Sequence, residues 1–358
     1  MPNNFQEQRS FTPKRSLGQN FLIAPKIAEH IAKIAANSTR NTSNGPIANC
    51  YLPITSVLEV GPGKGMLTKE LLRHFEKVIA IEKDDNLALL LEQTFKKEIK
   101  TGHLELVHGD ALDYFKEDGG RRTEDATRDV TRTSASILRT SRPYVVAANI
   151  PYNITGELLR MFLTTKHKPK SITVLVQKEV AERIAKNKGK ESLLSLSVKV
   201  YGQPSIEGKV PRTLFRPVPN VDSAVLHIAN VSNSFFEALT SRRCHPRENG
   251  DPENDHATLD SRLRGNDTNA DGNKDSNEND SRNCDRTADV EKRFFELLKL
   301  SFGQKRKFLS NNLSSKYTKE QIANAFAGAE IAEKARAEEL TIKQWGELLL
   351  QLEEKGER

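Results

Sequence analysis

The chain has 358 residues, 36% of them hydrophobic, with three cysteines and a net charge of +7. That length can form a domain with a sizeable core and a second small one, and no run approaches the roughly 18 apolar residues of a membrane span. Cys50, Cys244 and Cys284 lack CxxC spacing, so no metal site or disulfide framework is expected, and Met1–Phe5 lacks the apolar core of a secretory signal. These features fit a reducing, cytoplasmic setting.

Residues 1–25 are basic and polar, and Ile27, Ile31 and Ile34 then recur at helical spacing. After the polar stretch Asn37–Asn49, a strand at Val57–Val60 runs into the glycine turn Gly61-Pro62-Gly63-Lys64-Gly65. A helix follows with Leu67, Leu71, Leu72 and Phe75 on one face. Val78–Ile81 reads as the next strand, with a helix over 85–98. Further strands are predicted at Leu104–His108, Tyr144–Ala148, Ile172–Val176 and Leu196–Val200. This alternation predicts an α/β fold with a parallel sheet covered by helices on both faces.

Two segments interrupt the pattern. Residues 117–142 are polar with little periodicity. Residues 241–289 hold only 7 apolar residues in 49, too few to offset the cost of ordering the chain, so disorder is expected. Within it, His245-Pro246-Arg247-Glu248-Asn249-Gly250-Asp251-Pro252 resembles peptides encoded by mobile palindromic repeats, which suits an insertion at a tolerant surface position. Helical periodicity returns at Val290, with Phe294, Leu297 and Leu298 on one face. The expected domains are thus 1–230 for the sheet and 290–358 for a small helical unit. The 241–289 segment carries eight basic and twelve acidic residues, net −4, which leaves +11 on the rest of the chain. Such an excess favours a polyanionic partner; a basic surface kept soluble by its charge is the plain alternative.

The glycine turn follows a strand and precedes a helix, so its backbone can approach a ligand closely at Gly61 and Gly63. It is neither GxGxxG nor a Walker A loop, which disfavours a phosphate cradle. S-adenosylmethionine, which has no phosphate, fits, with NAD as the competing ligand. Glu82 ends the second strand 21 positions after Gly61, where a carboxylate can accept from ribose hydroxyls. Asp110 ends the third and can reach an adenine amine.

Asn149-Ile150-Pro151-Tyr152 closes the strand Tyr144–Ala148 at the sheet edge where ligands bind in open α/β folds. The amine of adenine is a poor nucleophile because its lone pair is delocalised into the ring. The Asn149 oxygen and a backbone carbonyl near Ile150 or Pro151 can accept its N–H groups and localise that pair. Pro151 fixes the backbone, and Tyr152 can stack on the base. The bland alternative is an ordinary Asn-X-Pro turn. A paired base cannot enter such a pocket, so the substrate must be single-stranded, in a loop, or flipped out.

These residues resemble the bacterial small-subunit ribosomal RNA adenine dimethyltransferases, the kasugamycin-sensitivity family. The resemblance rests on Lys14–Leu22, Glu59–Gly65 with Leu67-Thr68, Gly109–Leu112, Asn149–Asn153 and Leu214–Ala224. It implies a Rossmann-like class I methyltransferase sheet with a small helical C-terminal domain. It also implies N6-dimethylation of two adjacent adenines in a hairpin loop near the 3′ end of 16S rRNA. The implied setting is a monomer working on a 30S precursor, with no membrane partner. Asn20, Leu22, Gly61, Glu82, Asp110 and Asn149 would line the S-adenosylmethionine site. From the residues alone, Asn20 reads as a helix cap and Phe21 and Leu22 as core. Phe215 would hold the target base opposite Tyr152; core packing before a Pro-rich turn is the equal alternative. Lys305, Arg306 and Lys307 are candidates for RNA phosphates, against a solvated helix face. Two competing functions remain: an erythromycin-resistance-type enzyme acting on 23S rRNA, and a non-catalytic ribosome assembly factor that retains the fold.

Overall fold

The structure is a computed structural model that describes residues 19–40, 54–116, 142–185, 190–244, 276–304 and 306–353. The chain divides into two compact units, Met1–Ser232 and Asn233–Arg358.

The first unit is built on a seven-stranded sheet. Its strands are β2 (Ser56–Val60), β3 (Lys77–Glu82), β4 (Leu104–His108), β5 (Tyr144–Asn149), β6 (Ile172–Gln177), β7 (Gln203–Val210) and β9 (Ser223–Ala229), in the order β4-β3-β2-β5-β6-β9-β7. The central strands read as near-continuous apolar runs because both faces are covered: Val78–Ile81 and Tyr144–Ala148 are fully buried. The pairs from β4 to β6 are parallel, whereas β9 runs antiparallel to β6 and to β7. The expected parallel sheet is therefore corrected to a mixed one. β7 and β9 are joined by a chain reversal rather than a crossover helix, which forces antiparallel pairing.

Helices α1 (Pro25–Arg40), α2 (Met66–Leu71), α3 (Asp85–Thr94), α4 (Lys96–Lys100) and α5 (Ala111–Lys116) accompany the first half of the sheet. α6 (Thr155–Thr164), α7 (Lys178–Ala185) and α8 (Leu193–Lys199) accompany the second. α1 buries Ala28, Ile31, Ala32 and Ala35 along one stripe. Asp84 caps α3 by accepting from the N–H groups of Asn86 and Leu87. The single helix expected over 85–98 breaks at Phe95, a buried ring with non-helical backbone that separates α3 from α4.

The strand expected at Leu196–Val200 is also corrected. Ser192 and Ser195 form a reciprocal capping box, and the Ser195 hydroxyl donates to Glu191 Oε2 at 2.6 Å. This nucleates α8, which buries Ser195, Leu196 and Val198. The apparent alternation of Leu196, Val198 and Val200 is overridden by that cap and by packing.

The second unit consists of α9 (Ser234–Cys244), α10 (Ser276–Ser301), α11 (Leu309–Leu313), α12 (Lys319–Gly328) and α13 (Ile342–Glu353). Phe235, Phe236, Phe294 and Phe295 form edge-to-face and tilted ring contacts with centroids 5.2–6.1 Å apart. Trp345, Leu348 and Leu349 add the apolar face of α13. The disorder expected over 241–289 is corrected at both ends, because α9 runs through Cys244 and α10 begins at Ser276. The helical unit thus starts well before 290. Residues 245–275 and 117–141 lie outside the described residues. Among the described residues, no helix is long and apolar enough to cross a membrane.

Candidate active site

The chain runs β2, β3, β4 toward one edge, then crosses back to place β5 on the other side of β2. The carboxyl ends of β2 and β5 therefore flank a topological switch point, and a cleft opens there. Asn20, Leu22, Gly61, Gly63, Glu82, Asp110, Asn149, Pro151 and Tyr152 all line it. The structure thus brings together nearly every site residue expected in this unit.

The glycine turn needs its glycines. Gly61, Gly63 and Gly65 sit at φ 67°, 60° and 79°, in the left-handed region. A Cβ on Gly63 would lie 3.0 Å from the Phe21 ring, and one on Gly65 would lie 2.5 Å from Phe95. All three glycine N–H groups are engaged. Gly61 donates to Ile81 O at 2.9 Å, Gly63 to Glu82 Oε2 at 3.0 Å and Gly65 to Pro62 O at 2.9 Å. A carboxylate thus takes the donor that a pyrophosphate would use in a dinucleotide site.

Glu82 also accepts from Asp84 N through Oε1 at 2.9 Å, so it pins the turn to the end of β3. Burial raises its pKa, and the backbone N–H groups of Asp84 and Gly63 partly counter that. Asp110 accepts from Leu112 N at 2.9 Å and pairs with Lys83 at 2.6 Å. Glu59, inside the apolar run of β2, also lines the cleft and is 1% exposed.

Phe21–Leu22 forms a short strand, β1, paired antiparallel with Phe215–Arg216, β8, in the register Leu22↔Phe215. This ribbon places Asn20 in the cleft. The Asn149 side-chain N–H₂ donates to the Asn20 carbonyl at 3.2 Å. With the N–H₂ group on that carbonyl, Oδ1 is the amide's remaining acceptor. The Pro151 carbonyl accepts from Ile154 N at 3.2 Å and from the Thr155 hydroxyl at 3.4 Å. Of the two backbone acceptors proposed from sequence, Ile150 O is therefore the one left for a ligand. Ile150 itself is 1% exposed and anchors the tetrapeptide in the core.

The half-buried Tyr152 shares a 2.6 Å hydrogen bond between its hydroxyl and Ser223 Oγ, and burial raises the phenol pKa. Ser223 carries no signal of its own in the sequence. It lies 71 residues from Tyr152, and no local pattern links the two.

Phe215 requires a correction. Its side chain is fully buried in the main core and does not line the cleft, so it presents no face to a base. Packing, the alternative weighed beside base holding, accounts for its position: it carries the β1–β8 ribbon. Arg306 and Lys307 are exposed in the second unit; Lys305 lies outside the described residues.

Sheet order and switch-point cleft, with Asn-Ile-Pro-Tyr closing β5, define a base-modifying methyltransferase. The chain belongs to the ribosomal RNA adenine dimethylase family, whose family model matches residues 10–240. It is therefore an rRNA adenine dimethyltransferase. It is 32% identical to the ribosomal RNA small subunit methyltransferase A of Dehalococcoides mccartyi strain CBDB1, covering 94% of this chain and 88% of that one. It is 30% identical to that of Anoxybacillus flavithermus, covering 97% and 92%. The fold is shared with a Plasmodium falciparum dimethyladenosine transferase at TM-score 0.56 and 21% identity, over 94% of this chain and 98% of that one. It is shared equally with the 23S rRNA methyltransferase ErmE at TM-score 0.55 and 21% identity, over 93% and 99%.

Proposed function

We propose that the chain uses S-adenosylmethionine to dimethylate N6 of two adjacent adenines in a hairpin loop near the 3′ end of 16S rRNA. It would act in the cytoplasm, as a monomer, on a 30S precursor particle. The curated relatives named small subunit methyltransferase A support the small-subunit substrate, whereas the likeness to ErmE is one of fold alone.

The donor set of the cleft fits the cofactor. Glu82 and Asp110 give the cleft carboxyl acceptors that suit hydroxyl and amine donors rather than a pyrophosphate. Glu82 and Asp110 would hold its ribose and adenine, with Asn20, Leu22, Gly61 and Gly63 forming the surrounding wall. When bound, S-adenosylmethionine supplies an electrophilic methyl group.

The remaining chemistry belongs to the chain. Asn149 Oδ1 and Ile150 O accept the two N–H groups of the target amine and draw its lone pair out of the ring. Neither group has to ionise. Tyr152 stacks on the extruded base, a contact worth about 1–3 kcal/mol in nucleic-acid sites, and Ser223 holds the ring in position. Pro151 sets the backbone between β5 and the 3₁₀ turn that begins at Tyr152. The largest contribution is orientation: the amine nitrogen is held in line for transfer. The proton lost from N6 passes to water. Lys305, Arg306 and Lys307 would bind RNA phosphates from the helical unit.

The observation that carries this reading is the Asn149–Asn20 hydrogen bond, which leaves an acceptor oxygen for the base. The test is methylation of purified 30S and 50S precursors in separate reactions, with mass spectrometry of the modified adenines. Two adjacent dimethyladenines in 16S rRNA are expected. Product in 23S rRNA would support the erythromycin-resistance type, and no product in either would support an assembly factor.

A further inference from the structure

Gln177 is the last residue of β6 and is half-buried. The sheet register fixes its neighbours. Asn149 on β5 pairs with Leu175 on β6, and Gln177 pairs with Ser223 on β9. Side chains alternate between the two faces along a strand, and paired residues share a face. Asn149, Leu175, Gln177 and Ser223 therefore project from the same face. The 2.9 Å bond between the paired Thr173 and His227, farther down the same ladder, agrees with that parity.

β6 lies between β5 and β9. The Tyr152 hydroxyl nevertheless meets Ser223 Oγ at 2.6 Å. The segment from Asn149 to that hydroxyl must therefore cross the carboxyl end of β6, over two strand spacings or roughly 10 Å. Gln177 stands at this crossing, between the group that holds the amine and the group that holds the Tyr152 ring. Tyr152 lines the cofactor cleft and Gln177 does not, so Gln177 lies on the side of the ring away from the cofactor. Among the described residues, its carboxamide has no hydrogen-bond partner.

We propose that Gln177 donates a hydrogen bond to N1 of the target adenine. The inference rests on the adenine reading above. Asn149 Oδ1 and Ile150 O use both hydrogens of the amine, so what the base still offers is ring nitrogens, which need donors. A carboxamide N–H₂ is such a donor. The sugar on N9 stays with the RNA, so the opposite, Watson–Crick edge leads into the pocket. N1 lies on that edge, next to the amine. Guanine carries a hydrogen at N1 and an oxygen at C6, which reverses both halves of the pattern. Gln177 thus serves base choice and orientation, and the lone pair of the amine is left to Asn149 and Ile150.

The experiment is a cycle between one side chain and one base atom. Small-subunit particles are reconstituted from 16S rRNA carrying adenosine, 1-deazaadenosine or 7-deazaadenosine at both target positions. Each analogue keeps the amine and replaces one ring nitrogen by C–H. Any change in the amine's own reactivity affects wild type and variant alike and cancels in the comparison. Gln177→Leu should lower kcat/KM on adenosine particles about three- to tenfold, the range of one neutral hydrogen bond. The 1-deaza penalty should be smaller in Gln177→Leu than in wild type by that same factor, and the 7-deaza penalty equal in both. The calorimetric Kd for S-adenosylmethionine should stay within about twofold, because Gln177 is not part of the cofactor cleft. If Gln177→Leu does not fold, Gln177→Glu, equal in shape and an acceptor when ionised, takes its place in the cycle.

Equal 1-deaza penalties in wild type and variant, dependence on residue 177 for the 7-deaza analogue instead, or a Kd that rises as far as kcat/KM falls would overturn the proposal. Each leaves the adenine reading intact, since wild type still methylates adenosine particles. No methylation of those particles by wild type would overturn both.

Discussion

Asn149→Ala separates two jobs that one side chain performs. Its N–H₂ holds the Asn20 carbonyl, and its oxygen is left for the target amine. At 3.2 Å the first bond is at the long end for N–H···O. Its net worth is about 0.5–1 kcal/mol, so its loss should weaken cofactor binding only about two- to fivefold. The second interaction strengthens as charge builds on N6. Removing one oriented polar group of that kind typically costs about 10²–10³ in turnover. Single-turnover transfer of a labelled methyl group to 30S precursor should therefore fall about 10²–10³-fold, with the calorimetric Kd for S-adenosylmethionine rising no more than fivefold. Asn149→Asp restores an oxygen facing the base and should recover at least about tenfold of the loss. Equal proportional losses in rate and cofactor affinity would reduce Asn149 to a cofactor contact, and unchanged turnover would remove it from the mechanism.

Other perturbations test the frame around it. Ser223→Ala leaves the Tyr152 hydroxyl without its 2.6 Å partner and should raise KM for the RNA about fivefold, roughly 1 kcal/mol. Adding Tyr152→Phe should cost little more, because both changes break one bond; additive losses would show separate roles. Gly65→Ala forces φ 79° on a residue with a Cβ 2.5 Å from Phe95. Left-handed strain and overpacking together cost about 2–6 kcal/mol, a fall in Tm on the order of 10 °C; an unchanged melt would refute the steric argument. Deleting 245–275 should leave Tm unchanged, since that sequence has little to bury. Extending the deletion through 289 removes buried Thr287 and the Asp289–Arg293 ion pair at 2.9 Å, and should lower Tm. Equal melts for both deletions would show that the first part of α10 contributes nothing to stability.

Some of this was legible in the amino-acid order. A turn at Gly61, Gly63 and Gly65 follows from local sterics, since left-handed backbone costs glycine least. The strands β2 to β6 followed from apolar runs of the right length, and Asn149–Tyr152 from its place at a strand end. Other features had no local mark. Leu196–Val200 alternates like a strand, yet a serine capping box made it helical. Phe215 reads equally well as base holder or core, and only its register with Leu22 decided for core. The bonds that orient the site join Asn149 to Asn20 across 129 residues and Tyr152 to Ser223 across 71. Periodicity, turn chemistry and composition act within a few residues, so the chain's own order determined its elements and the kinds of group at their ends. Which of those groups meet depends on strand order and direction, and these are set by how the whole sheet buries its faces.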